Sequence, residues 1–368
     1  METTELSMLK YIKETPHVVR KNIAESEKLT RRISELFIDG AYKNIKLIAC
    51  GSSYNAALCA RYYMEKHLKV PVQVITPFTF NHYEHNVREI DFVVCISQSG
   101  CSTNTIDSLR ICRKNGIPAI GMTGNIHSDF QKEADELIDF GLYEESLEFV
   151  TKGVVTEIAF LMLFALHTAQ QLGHIDSEYL LKEKKKMLEA IDNYEYIINN
   201  FHDFWIRNKK NLLTMKTVYC IGAGANYGTA LEAAVKIGET VHIPAIGYEV
   251  DEAIHGPQHQ LTPQYSFLFI DPGDSTKERI EQSFRAAQKI TDKVYILSNN
   301  PNLQEDSVMR VPNNIDEILS PLYALAFIQM IAYTVAQTKL TWNPHPLLKD
   351  YKAILTGKSE SYRSYDCT

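Results

Sequence analysis

Lys46-Leu-Ile-Ala-Cys-Gly51 reads as a short buried strand running into a glycine turn, and Thr217-Val-Tyr-Cys-Ile-Gly-Ala-Gly224 reads the same way. The two glycines, Gly51 and Gly224, lie 173 residues apart. At that offset Ile48 meets Ile221, Tyr54 meets Tyr227, Ala57-Leu58 meets Ala230-Leu231, Pro71 meets Pro244 and Gly100 meets Gly273. Each turn leads into a helix-like segment, then a proline-marked second strand. A third strand follows (Phe92–Ile96 and Phe267–Ile270), and a fourth lies near Ile117–Met122 and Val294–Leu297. Repetition at so long a period marks a duplicated domain rather than a solenoid. Strands of near-continuous apolar residues alternating with helices call for a parallel sheet covered on both faces. The expected fold is therefore α/β: two duplicated three-layer α/β/α domains with parallel sheets, flavodoxin- or Rossmann-like.

The remaining segments fall around this pair. We expect a helical arm over 1–30, a first domain over 31–178, a linker helix over 179–210, a second domain over 211–340, and a mostly irregular tail over 341–368. Two domains suit 368 residues at roughly 100–200 residues each. A content of 45% hydrophobic and 23% charged residues is that of a globular protein and excludes extended disorder. The formal net charge is −7 and no basic run occurs, so nucleic acid is excluded as a partner.

Seven cysteines, an odd number with no C-x-x-C, argue against a disulfide framework or a zinc site and for a reducing cytoplasm. Cys50, Cys95 and Cys220 sit in strand-like runs, where a thiol behaves as a small hydrophobe; Cys367 is in the tail. The N-terminus has no signal-peptide core. Two uncharged stretches, Ile158–His174 and Ile318–Thr338, approach the ~20 residues that span a bilayer. His167, Gln170 and Gln171 interrupt the first, and Ser320, Pro321, Gln329 and Gln337 the second. They read as buried helices, and no membrane partner is expected.

The halves differ where ligands bind in open α/β sheets, beyond the strands' C-terminal ends. The first half places Ser97-Gln98-Ser99-Gly100-Cys101-Ser102-Thr103-Asn104-Thr105 directly after its third strand. Hydroxyl donors, a glycine that admits close approach and a following helix N-terminus make an anion cradle, with Ser52 and Ser53 closing the other side. The bland alternative is a Ser/Thr-rich turn with ordinary caps. No G-x-x-x-x-G-K-[ST] pattern is present, so this is not a nucleotide P-loop.

The second half has Asp271-Pro-Gly-Asp274 there, carboxylates that would repel phosphate. It offers instead Lys236 and Glu239, on one helix face at i,i+3, and Asp251-Glu252-Ala-Ile-His255-Gly-Pro257. Alone, Lys236 and Glu239 would read as a solvated ion pair. Gly256-Pro257 sets His255 on a turn and breaks the helix that a His255/His259 metal pair would need, so no metal is expected. Lys349, in Pro344-His-Pro-Leu-Leu-Lys349, would by default be a solvated tail residue.

These motifs resemble the tandem sugar-isomerase (SIS) domains of the isomerase half of glucosamine-6-phosphate synthase, over nearly the whole chain. Ala49-Cys-Gly-Ser-Ser-Tyr54 and Ile96-Ser-Gln-Ser-Gly100 are similar to the family's two phosphate turns. Thr151-Lys152 resembles its S-T-K, Ala233-Ala-Val-Lys236-Ile-Gly-Glu239 its A-x-K-x-x-E, and Glu252-Ala-Ile-His255-Gly-Pro257 its E-x-x-H-G-P. The Pro-x-x-Leu-x-Lys tail ends on Lys349.

The resemblance implies that Ser53, Ser97, Gln98, Ser99 and Ser102 hold the 6-phosphate of an open-chain sugar, with Ser52 and Thr105 beside them. It implies that Glu239 moves a proton between C1 and C2 with Lys236 tuning it, that His255 assists ring opening, and that Lys349 engages the sugar carbonyl. Thr151, Lys152 and Glu252 would line the substrate. No cofactor is implied, and the partner is a second copy of the chain in a homodimer with shared active sites.

Two features depart from the family. Position 2 is Glu rather than the glutaminase cysteine, so ammonia release from glutamine is not expected of this chain. Cys101 and Ser102 replace an acidic residue and a threonine. The expected activity is C1/C2 proton transfer on a 6-phosphorylated ketose, aldose or amino sugar. The alternatives are a fructosamine 6-phosphate deglycase and a non-catalytic sugar-phosphate sensor.

Overall fold

Gly51 and Gly224 occupy matching backbone conformations, φ 58° and ψ −133° against φ 55° and ψ −125°, a region open to glycine because it lacks a Cβ. Each starts a helix of 17 residues, and each helix ends on a left-handed residue at the same offset, Lys69 (φ 60°) and His242 (φ 58°).

The computed structural model describes residues 4–147, 149–273 and 275–362. Its first elements are α1 (Thr4–Ala24), α2 (Ser26–Asp39), β1 (Asn44–Ala49), α3 (Ser52–Leu68), β2 (Val72–Ile75), α4 (Pro77–Thr79), β3 (Asp91–Ile96) and α5 (Thr103–Lys114). Then come β4 (Ile120–Thr123), α6 (Phe130–Glu133), β5 (Glu136–Asp139), α7 (Lys152–Gln171) and α8 (Ser177–Leu212). The rest are β6 (Thr217–Gly222), α9 (Ala225–Val241), β7 (Ala245–Glu249), β8 (Tyr265–Asp271), α10 (Lys277–Ala287), β9 (Val294–Ser298), β10 (Val308–Arg310), α11 (Pro321–Lys339) and α12 (Leu348–Ile354).

Two units result. The first domain comprises His17–Glu183 and the C-terminal segment from His345; the second comprises Lys184–Pro344 and the start of α1 up to Pro16. The first sheet has the order β2-β1-β3-β4-β5 and the second, read from the opposite edge, β7-β6-β8-β9-β10. Every strand pair is parallel. This is the flavodoxin-like order, with its switch point between the first and third strands. Each sheet carries a fifth strand, β5 or β10, beyond the four expected from sequence.

All six residues of β3 are buried, as are all five of β9, which is what a strand covered on both faces requires. Both uncharged stretches are core helices. Every residue of α7 from Lys152 to Ala169 is buried, and so is every residue of α11 from Pro321 to Ala332. α7 is long and apolar enough to cross a membrane, but 94% of its most apolar window is buried inside the protein. Cys59, Cys95, Cys101, Cys112 and Cys220 are buried thiols and Cys50 is half-buried; Cys367 lies outside the described residues. The tail is less irregular than expected, because His345–Pro346 lead into α12.

Candidate active site

β1 and β3 pair with Ala49 opposite Ile96, so the Gly51 turn and the Ser97 loop leave the sheet side by side at its switch point. Ser52 and Ser53 are buried in the first turn of α3. Across from them, Ser97 Oγ donates to Ser102 Oγ at 3.0 Å, and Ser99 Oγ accepts from the Cys101 amide at 3.3 Å. Gly100 turns the loop at φ 64°; a Cβ there would lie 1.8 Å from Ser128 Oγ, so the loop closes onto the β4 side with no room for a side chain. Ser102 is the N-cap of α5, which aims that helix's N-terminus at the cradle. Thr105 is fully buried and faces back toward Cys50, whose Sγ lies 3.7 Å from its Oγ1.

Gln98 points to a second polar feature. Its Nε2 lies 3.4 Å from Glu145 Oε2, and Glu145 accepts from the amides of Thr151 (3.0 Å), Lys152 (2.6 Å) and Gly153 (2.9 Å). Glu145 thus takes up the N-terminus of α7. Burial pushes its carboxyl up, against the pull of those three amides. Thr151 donates its hydroxyl to Phe149 O, and Lys152 sends its ammonium to Glu144 O at 2.7 Å. The structure therefore places Thr151 and Lys152 in buried backbone contacts. Gln98, Ser99, Asn125, Tyr143, Glu145 and Tyr362 are among the residues around a cavity of about 230 Å³.

The tail completes this side of the first domain. Lys349 is exposed on α12. The tail lysine set against the serine loop is Lys358, whose Nζ lies 2.8 Å from Ser99 Oγ and 3.3 Å from Ser102 Oγ. No local pattern in the sequence marks it.

In the second domain, α9 carries a buried charge cluster. The Lys236 side chain has no exposed surface and lies 2.6 Å from Glu239 and 3.5 Å from Glu232, which is itself fully buried. The solvated ion pair of the plain sequence reading is thereby corrected: Lys236 is solvent-free, and only Glu239, with 38% of its side chain exposed, meets water. Glu232, at i−4 from Lys236, was not singled out from the sequence, although that spacing is a readable signal. Glu252 and His255 are exposed on a short 3₁₀ turn, and Gly256 follows at φ 115°. Among the described residues no three His, Cys, Asp or Glu side chains come together as a metal site.

The second domain's counterpart of the serine loop is built around a carboxylate. Asp271, buried, accepts from Ser298 Oγ at 2.6 Å and from the Gly273 amide at 2.9 Å. Asp274 lies outside the described residues.

Comparison with known proteins follows the same division. The SIS domain family matches residues 41–167 and 211–336, more than half of the chain. A glutamine–fructose-6-phosphate aminotransferase (isomerizing) of Thermotoga maritima is 28% identical over 302 residues, 80% of this chain and 49% of that one. A protein of the same description from Clostridium perfringens is 25% identical over 351 residues, 90% of this chain and 56% of the other. The chain thus spans about half the length of these relatives. The solved C-terminal domain of glucosamine–fructose-6-phosphate aminotransferase from Francisella tularensis superposes with a TM-score of 0.81 at 24% identity, over 94% of this chain and 99% of that one, a likeness of fold. With two matched copies, two sheets of one order and glycine turns at one offset, the chain belongs to the SIS domain family.

Proposed function

We propose that the chain is an enzyme of sugar-phosphate isomerase type, acting on a 6-phosphorylated ketose, aldose or amino sugar. In this reading the Ser97–Ser102 loop and the Gly51–Ser53 turn hold the phosphate, and Glu239 moves a proton between C1 and C2. The observation that carries it is the α9 cluster: a carboxylate that meets solvent, fixed at 2.6 Å by a lysine that does not. Glu239 Oε2 takes the Lys236 proton donor, so the carbon proton is carried on Oε1.

The base removes the proton beside the carbonyl, and the electron pair runs into the carbonyl to give an enediolate. The proton of the adjacent hydroxyl passes to the former carbonyl oxygen. As the carboxyl returns its proton to the neighbouring carbon, the deprotonated oxygen becomes the new carbonyl. One positioned base of this kind contributes about 10²–10⁴-fold. His255, exposed on its turn, is the candidate for ring opening, and Lys349 remains the candidate amine for the carbonyl.

The test is proton exchange. The protein is incubated in D₂O with fructose 6-phosphate, glucose 6-phosphate, glucosamine 6-phosphate and a fructosamine 6-phosphate, while NMR follows C1 and C2 and an amine assay follows release of free amino acid. Deuterium entering C1 or C2 of at least one sugar is the expected result, and accompanying amine release assigns deglycation. Tight binding of a sugar phosphate by calorimetry with no exchange in any of them would make the protein a sensor and overturn the reading.

A further inference from the structure

The C-terminal segment from Thr356 to Tyr362 is stitched along the serine loop by main-chain bonds. Lys358 pairs with Ser102 as an antiparallel bridge, the Thr103 amide donates to Gly357 O at 3.1 Å, and the Ser359 amide donates to Cys101 O at 2.9 Å. Ser361 Oγ adds a bond of 2.9 Å to Asp129, at the start of α6. These contacts fix the backbone of residue 358 beside the loop, and its side chain turns inward to Ser99 and Ser102. Tyr362 lies under the same ammonium, its ring centroid 5.0 Å from Nζ, and also lines the cavity next to Ser99.

We propose that Lys358 is a phosphate-binding residue, the cation of the serine-loop site, delivered by the C-terminal segment. The proposal rests on the reading of that loop as the phosphate site and adds to it the group that supplies positive charge. An ammonium only donates, so Ser99 and Ser102 meet it with lone pairs and direct their own protons elsewhere. Two hydroxyl donors and a cation then converge where an anion would sit at the N-terminus of α5. No carboxylate stands between Ser97 and Thr105 to oppose it. Glu145, which accepts from Gln98, spends its oxygens on three amides at the start of α7. The hydroxyls supply shape, and Lys358 supplies the charge that favours a phosphate dianion over a neutral sugar.

The test is calorimetry with fructose 6-phosphate and with inorganic phosphate on the full chain and on the variants Ser99→Ala/Ser102→Ala, Lys358→Met and Lys358→Arg. Each variant is first shown to melt within a few degrees of the parent. Loss of a charge-assisted bond should weaken both ligands about tenfold to a hundredfold in Lys358→Met, and Lys358→Arg should recover most of it. ³¹P NMR supplies a readout that mere folding would not move. The bound phosphate's second ionisation, about pH 6 in free monoesters, should fall in the parent and return toward the free value in Lys358→Met.

If the parent binds and the serine variant does not, but Lys358→Met binds as the parent does, the phosphate reading stands and the Lys358 assignment is wrong. Tighter binding in Lys358→Met would show a plug rather than a ligand and would overturn the assignment too. If the parent binds neither probe, both fail.

Discussion

α3 and α9 are one element used twice, with its chemistry exchanged. Both run 17 residues from a positive-φ glycine to a left-handed cap. On α3 the buried interior positions are Cys59 and Tyr63, with Lys66 exposed; on α9 the same positions hold Glu232, Lys236 and Glu239. The loops after the third strands show the reverse. The first domain has Ser97-Gln98-Ser99 where the second has Asp271-Pro272-Gly273, and the Asp271 carboxylate is spent on the turn itself. Backbone sterics hold both copies to one course, because a positive-φ turn tolerates few residues. Side chains facing the ligand edge carry no such constraint. One copy carries a hydroxyl-lined loop, and the other a helix whose buried lysine sits between two carboxylates.

The largest expected effect breaks this comparison at Glu239. Glu239→Gln should lower C1/C2 exchange about 10²–10⁴-fold, while the matching change on the first copy, Lys66→Gln, should alter it less than about twofold, as expected for an exposed side chain outside the reacting groups. Equal losses in the two variants would mean that α9 has no special role. Next in size is stability. Lys236 separates two carboxylates with no solvent around it, so Lys236→Ala should cost about 3–5 kcal/mol in urea unfolding. The corresponding Tyr63→Phe removes one bond of 3.0 Å to Glu183 and should cost about 1.5–3 kcal/mol. A Lys236→Ala loss no larger than that of Tyr63→Phe would show the cluster to be screened.

How far the sequence discloses these features depends on the range of the interaction behind each one. The glycine turns, the apolar strands and the serine loop are local, and each was legible as a pattern of neighbours. The fifth strands were not. Glu136-Leu-Ile-Asp139 and Val308-Met-Arg310 are too short for a period to emerge, and only pairing with β4 and β9 makes them strands. Burial of Lys236 was invisible for a similar reason: spacing puts it near Glu239, but packing by other elements removes the water. Lys358 lies more than 250 residues from Ser102 in sequence, and only a tertiary bridge joins them. The tail motif drew attention to Lys349 instead, which the structure leaves exposed.

The paired glycines sharpen the comparison at the backbone. Cβ atoms on Gly51 or Gly224 would meet nothing within 4 Å, so Gly51→Ala and Gly224→Ala should pay only conformational strain, about 1–3 kcal/mol each and close to equal. Gly100→Ala adds a collision with Ser128 to the same kind of strain and should cost more than either. A thermal-melt series on the three variants checks this. Unequal costs at Gly51 and Gly224 would mean that the two turns, alike in φ and ψ, are held differently.

The smallest effect concerns acid. Burial pushes the Asp91 carboxyl up, but Arg88, Asn44 and Lys46 pull harder and hold it below the usual carboxylate range. Asp91 opens β3, taking Asn44 Nδ2 at 2.9 Å and Arg88 Nη2 at 2.9 Å. At the equivalent place the second domain opens β8 with Tyr265, opposite Thr217 as Asp91 is opposite Asn44, and the exposed Gln264 before it carries no acid. A carboxyl held low in the folded state contributes fully above its unfolded value, near pH 3.9. That contribution disappears as the pH falls through the lower, folded value. Asp91→Asn should therefore cost about 1 kcal/mol at neutral pH, stay constant down to about pH 4, and converge on the parent below that. Gln264→Ala should give a difference that does not vary with pH. Urea midpoints between pH 7 and pH 2.5 decide the matter: an Asp91→Asn difference that persists unchanged at the acid end would assign the loss to packing rather than charge, and the two domains would then share one acid response.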